Sequence, residues 1–195
     1  MMKKVIAALL TAAALFGAQG PQAGGEVKQP APKTFEVISV DGEKFHFTVS
    51  QQGVVCKECK GKVLLLDFFG KRCPPCRASI PTLAKIQKEL KDKLQIISFH
   101  VQETLTPQDV IELKKELGID YPIIDMTADD KNYAFIEYIG AASGWQNTIP
   151  YMLFFDPNGR YRGQHYGVVD ANGLKKAVEK LYESSQGVTH KTAKP

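Results

Sequence analysis

Beyond Phe16, the 195-residue chain has no apolar run long enough for a membrane helix. It has no strong charge of either sign, with 25 Lys and Arg against 21 Asp and Glu and a net charge of +4. Leaving out Lys3 and Lys4 takes the balance to +2, too weak a bias to point to nucleic acid or a membrane surface as partner. There is no internal repeat. No odd cysteine is left over to cross-link chains, because the four cysteines fall into two C-x-x-C pairs, Cys56/Cys59 and Cys73/Cys76. Neither Cys59 nor Cys76 is followed by histidine, which excludes a c-type haem attachment site. His46, His100 and His165 stand singly in the sequence, and each is expected to pack or face solvent rather than bind metal.

What is present begins with Lys3 and Lys4, followed by the apolar stretch Val5 to Phe16 and the small residues Gly17, Ala18 and Gly20. This reads as a cleaved secretory signal over 1–20, too short to span a bilayer. A Pro/Gly/Gln-rich linker is expected over 21–33, one domain over 34–184 and a polar, frayed tail over 185–195. The protein is therefore expected to be exported, periplasmic and soluble. In such a compartment disulfides form and persist.

Within the domain, Phe35 to Val40 and Lys44 to Val49 flank Asp41-Gly42 as a hairpin. Val63 to Phe69 is apolar on both faces, as a central strand of a covered sheet should be. A helix follows from Arg77 to Leu94 with a stripe of Ile80, Leu83, Ile86 and Leu90, kinked at Pro81. Leu94 to Val101 is a strand. Thr106-Pro107 opens a helix that Gly118 stops. Tyr121 to Asp125 is a strand, Lys131 to Ile139 a helix, and Tyr151 to Phe155 and Arg160 to His165 are strands joined by Asp156-Pro157-Asn158-Gly159. Asp170 caps a last helix bearing Leu174, Val178 and Leu181. Alternating strands and helices imply right-handed crossovers and a sheet that starts parallel; the late hairpin makes it mixed.

The chemistry gathers at Cys73-Pro74-Pro75-Cys76, at the junction of the apolar strand and the helix. Two thiols at this spacing close a disulfide with little backbone movement. The first sits at a helix N-terminus, where unpaired N–H groups and the helix dipole favour a thiolate, the attacking species in thiol–disulfide exchange. Cys73 is expected to be exposed, and Lys71, Arg72 and Arg77 each to favour its ionised form. Cys76, further in, suits resolution of a mixed disulfide. A purely structural bridge here would close almost no loop and gain little. Asp67 ends the apolar run, where an ionised carboxylate is costly unless it turns to solvent. On physics alone, the Ile149-Pro150 bond at a strand start is expected to be trans.

Leu66-Asp67-Phe68-Phe69, then Cys73-Pro74-Pro75-Cys76, Pro81 in the helix and Ile149-Pro150 before a later strand resemble the thioredoxin superfamily. The match is with its exported TlpA/ResA-like branch, and it covers roughly Thr34 to Tyr182. The segment Pro107 to Asp125 is similar to that branch's inserted helix and strand. The resemblance implies a three-layer α/β/α fold with a central mixed sheet, an N-terminal β-hairpin and a helix–strand insertion. It implies a thiol–disulfide oxidoreductase without cofactor, acting on a disulfide-containing protein substrate and served by a membrane-embedded thiol electron donor. In its terms Asp67 exchanges a proton with Cys76, Pro150 is cis, and Ile149 offers its backbone to the substrate. Cytochrome c maturation is a context by analogy. The chain departs from the pattern at Arg72, where the family carries Trp, and at Ser79, where some members carry a carboxylate.

The four cysteines also have the spacing of a zinc site. A continuous strand between the pairs, at about 3.3 Å per residue, separates them by roughly 20 Å and argues against it. Cys56/Cys59 is then a local disulfide or a second redox pair. No stable metal is expected. The alternatives to a reductase are an oxidase or isomerase of the same fold, and a thioredoxin-fold copper chaperone using Cys73, Cys76 and a distant histidine such as His165.

Overall fold

The structure, a computed structural model, describes residues 30–189. The expected signal and most of the expected linker lie outside the described residues.

A five-stranded sheet forms the centre, in the order β6-β5-β4-β7-β8. β4 (Val63–Phe69) and β5 (Leu94–His100) run parallel, as do β5 and β6 (Ile123–Asp125). β7 (Tyr151–Phe155) and β8 (Tyr161–Tyr166) are antiparallel, so the sheet is mixed. β4 lies in the middle and is buried at every position, which accounts for a run that is apolar throughout except at Asp67. One face of the sheet is covered by α1 (Pro74–Glu89), α2 (Pro107–Leu117) and α4 (Ala171–Thr189), with Leu65, Phe69, Ile80, Leu83 and Val178 in the core between them. The other face is covered by α3 (Asp130–Ser143) and a separate small sheet, through Leu66, Phe68, Phe99 and Phe135.

That small sheet differs from the expected hairpin. β1 (Lys33–Ile38) and β2 (Lys44–Ser50) pair as anticipated, but a third strand, β3 (Gly53–Cys56), follows at once. Four residues are too few to show strand periodicity. The turn depends on Gly53, at φ 142°. A Cβ there would lie 2.1 Å from the Gly159 carbonyl oxygen, so the small sheet and the β7–β8 turn approach through backbone alone.

Several boundaries also move: β6 begins at Ile123 rather than Tyr121, and α3 runs on to Ser143 rather than Ile139. α1 begins directly after Cys73 and ends at Glu89 rather than at Leu94. The chain turns at Leu90 and Leu94 already belongs to β5. Pro81 lies within α1 without ending it, although proline has no N–H to give the preceding turn. At the C-terminus, α4 continues to Thr189, past the tail expected to start at 185. Ser185 is buried and its hydroxyl donates to the Tyr182 carbonyl at 2.6 Å, so polar residues here extend the helix.

Candidate active site

Cys73 is the N-cap of α1. Its sulfur accepts from the Cys76 N–H at 3.3 Å, and its own N–H donates to the Gly70 carbonyl at 3.1 Å. Cys73 and Cys76 are joined as a disulfide. Cys73 was expected to be exposed, but in this oxidised form it is only 7% exposed and Cys76 1%. The first cysteine is still the more accessible, because helix geometry carries the second one turn inward.

Beneath them lies Asp67. Leu65 and Phe69 pack in the same core cluster as both sulfurs, and strand alternation puts Asp67, between them, on that same face. It is 1% exposed. Burial pushes its pKa from 3.8 up to about 7, against a hydrogen bond donated by Ser98 Oγ at 2.7 Å, which pulls it down. Ser98 stands opposite Asp67 in the β4–β5 register. Sequence reading did not single out Ser98, although it is the lone polar residue among Ile96, Ile97 and Phe99. Tyr121 is buried nearby; burial and the Asp67 charge push its pKa up, against a smaller downward pull from Ser98.

The Ile149–Pro150 bond is cis. Ile149 is half-buried against the cluster that holds both sulfurs, and the Pro150 carbonyl accepts from Gly167 N–H at 3.1 Å. Ser79, at the position of the family's carboxylate, donates to the Pro75 carbonyl and accepts from Val169 N–H at 3.3 Å. It ties α1 to the loop before α4.

The cations near Cys73 are not free, contrary to expectation. Lys71 pairs with Asp109 at 2.7 Å, Arg72 with Glu103 at 2.9 Å and Arg77 with Glu116 at 2.8 Å. Each cation therefore favours a Cys73 thiolate less than its charge alone implies.

The second pair, Cys56 and Cys59, is also a disulfide, with both residues 4% exposed. It closes the turn between β3 and β4, at the end of β4 opposite Cys73. With both pairs closed and β4 between them, the four sulfurs do not form a zinc site. His165 Nε2 meets the Val168 carbonyl at 3.2 Å. Among the described residues, no group of three or more His, Cys, Asp or Glu is arranged to hold a metal ion.

The sequence pattern of the Redoxin family matches residues 27–182, spanning the strand, the disulfide, Asp67 and the cis-proline. The chain belongs to the Redoxin family. This Redoxin is 31% identical to the thiol-disulfide oxidoreductase ResA of Halalkalibacterium halodurans over 130 residues, 66% of this chain and 67% of that protein. It is 24% identical to the thioredoxin-like protein YneN of Bacillus subtilis, over 81% of this chain and 82% of the relative. Among solved structures it is similar to a thiol:disulfide interchange protein of Chlorobium tepidum, with TM-score 0.56 and 27% identity over 79% of this chain and 96% of that one. It is thus a TlpA/ResA-like member of the thioredoxin superfamily and a thiol–disulfide oxidoreductase.

Proposed function

We propose that the protein is an exported, periplasmic reductase of protein disulfides that works without a metal or organic cofactor. The Cys73 thiolate attacks one sulfur of a substrate disulfide, expelling the other substrate sulfur as a thiolate and leaving a mixed disulfide. Cys76, losing its proton to Asp67, attacks the Cys73 sulfur. The substrate leaves fully reduced and Cys73–Cys76 is oxidised. A membrane-embedded dithiol then returns two electrons and two protons, since the compartment holds no reducing thiol pool. Ile149 presents its backbone to an extended substrate segment beside the disulfide.

The observation that carries this reading is Asp67, a fully buried carboxyl with a pKa of about 7 on the face under the disulfide. Such a group gains and loses a proton at neutral pH, as a base serving Cys76 must. The reductase direction and apocytochrome c as a substrate are carried over by analogy with the TlpA/ResA-like branch that the sequence resembles. No helix among the described residues is long and apolar enough to cross a membrane. An oxidase or isomerase is the second reading, resting on the cations beside Cys73; their pairing with carboxylates weakens it.

The test is to express Cys76→Ser in cells and identify what is trapped on Cys73. Reducible exported proteins with free partner cysteines are expected. Trapping of Cys73 on a dedicated oxidant, with an oxidising potential for the purified pair, would favour the oxidase reading.

A further inference from the structure

Every cation flanking Cys73 in sequence is held by one stretch of chain. Lys71 Nζ lies 2.7 Å from Asp109 and 3.6 Å from Glu103, Arg72 Nε 2.9 Å from Glu103, and Arg77 Nη2 2.8 Å from Glu116. The Lys71–Asp109 pair is the most enclosed, with side chains 16% and 22% exposed. Asp109 also closes the capping box of α2 with Thr106, so its carboxylate is anchored before it meets the lysine. These contacts hold the Asp109 carboxyl well below the usual range and push Lys71 up.

The same stretch grips the backbone. Gln102 Oε1 accepts from the Arg72 N–H at 3.1 Å. Its side chain lies over Gly70 so closely that a Cβ there would meet Gln102 Cδ at 2.2 Å. The turn from Gly70 to Cys73 is thus clamped from one side at Gly70, Lys71 and Arg72.

We propose that the stretch from Gln102 to Glu116 is a counter-charge clasp: it positions the turn before Cys73 and, by neutralising its cations, keeps the Cys73 thiol less acidic and the pair more reducing. This rests on Cys73 being the attacking thiol. The helix N-terminus favours a thiolate at Cys73. Unpaired cations at Lys71, Arg72 and Arg77 would add to that and stabilise the dithiol form, making the disulfide a stronger oxidant. The three carboxylates cancel most of the addition. The residues of the clasp act through Cys73 and are positioning residues. Glu112 of α2 lines the same groove as Lys71, Arg72 and Arg77, and Asp67, His100, Tyr121 and Asp170 lie on the other elements around the disulfide; the test leaves all of them in place.

The test uses the full chain, reduced, and follows the pH dependence of Cys73 alkylation with the labelled site mapped by mass. Glu103→Gln is expected to lower the Cys73 pKa by roughly half a pH unit, the scale of losing one nearby solvent-screened charge. Adding Glu116→Gln moves it further the same way. Above the Cys73 pKa, the equilibrium with glutathione shifts towards the dithiol by about threefold for each half unit. Arg72→Gln raises the pKa, and the charge-balanced double variant Arg72→Gln/Glu103→Gln returns it to the wild-type value, which a merely structural role for Glu103 does not produce. Raising the salt concentration shrinks the Glu103→Gln shift. A pKa unchanged or raised in Glu103→Gln and in the double carboxylate variant overturns the clasp. Labelling of Cys76 before Cys73 in the wild type overturns instead the role assigned to Cys73.

Discussion

Asp67 and His100 sit on the same face of the sheet, two buried ionisable side chains whose effects on stability run in opposite directions. Asp67 is raised from 3.8 to about 7, so the folded state holds its proton more tightly than the unfolded chain does. Its contribution is fully present below pH 4 and is lost as pH rises through about 7, a swing on the order of 4 kcal/mol for a fully buried group. Asp67→Asn removes the swing. In oxidised protein, chemical denaturation is expected to show the variant gaining on wild type steadily from pH 4 to pH 8; a constant difference would mean the carboxyl stays ionised throughout. In reduced protein the same substitution should slow release of a mixed disulfide more than its formation, measured by stopped-flow with a disulfide peptide. His100 is 0% exposed, with neither ring nitrogen hydrogen-bonded among the described residues and Asp125 4.0 Å from Nδ1. Burial pushes its pKa below 6.5. The unfolded chain then takes up the proton first, and stability is lost as pH falls through 6.5. His100→Leu should therefore stabilise relative to wild type increasingly below pH 6.5, read from denaturation midpoints at pH 5 and pH 7.

Two buried carboxamides complete elements that lack a strand neighbour. β6 is short and covers β5 only from Ser98 to His100. Further back along β5, Gln87 of α1 takes the place of a strand: its Nε2 donates to the Leu94 carbonyl at 3.0 Å and its Oε1 accepts from Ile96 N–H at 2.6 Å. Asn132 of α3 does the same for β1, accepting from Ile38 N–H at 2.9 Å and donating to the carbonyls of Ile38 and Asp125. Gln87→Leu leaves a buried N–H and C=O unpaired and is expected to cost about 2–4 kcal/mol in urea unfolding, whereas Gln87→Glu, measured at low pH where it is protonated, keeps much of the stability. The Cys56–Cys59 bridge is the other local tie. Replacing both by Ser should lower stability only slightly, by no more than about 2 kcal/mol, because a bridge closing so short a loop constrains the unfolded chain little, and leave insulin reduction close to wild type. Loss of most turnover in a folded double variant would mean that the second pair relays electrons.

Across the whole molecule, the small sheet and the central sheet meet where Gly53 and Gly159 approach, closer than any Cβ allows. Gly53→Ala is expected to lose at least about 2 kcal/mol through backbone displacement, and to do so without changing the Cys73 alkylation profile, because the disulfide lies at the other end of β4. Gly70→Ala should behave in the opposite manner. Its Cβ meets the end of a flexible glutamine, so stability changes little, while Gln102 moves off Arg72 and the reactivity of Cys73 changes.

Much of this architecture follows from short-range pattern. The apolar run of β4 around Asp67, the stripe of α1, the Thr106-Pro107 start and Gly118 end of α2, and the two cysteines at a strand–helix junction are local facts, legible because burial imposes its pattern on neighbouring residues. Asp67 stood out for the same reason, as a lone charge within a buried strand. What only the tertiary structure decided are the partners. Ser98 reaches Asp67 across 31 residues of sequence and Gln102 reaches Arg72 across 30, through a β4–β5 register and a loop path that no periodicity encodes. Asp109 and Glu116 of α2, and Glu103 in the loop before it, face the cations beside Cys73 because β5, that loop and α2 pack next to the start of α1, so a cluster that reads as basic along the chain is paired in space. The chain by itself determined which residues go inside and where the thiols sit. Packing determined their protonation and their charge environment, because desolvation and Coulomb interactions depend on distances between residues far apart in sequence.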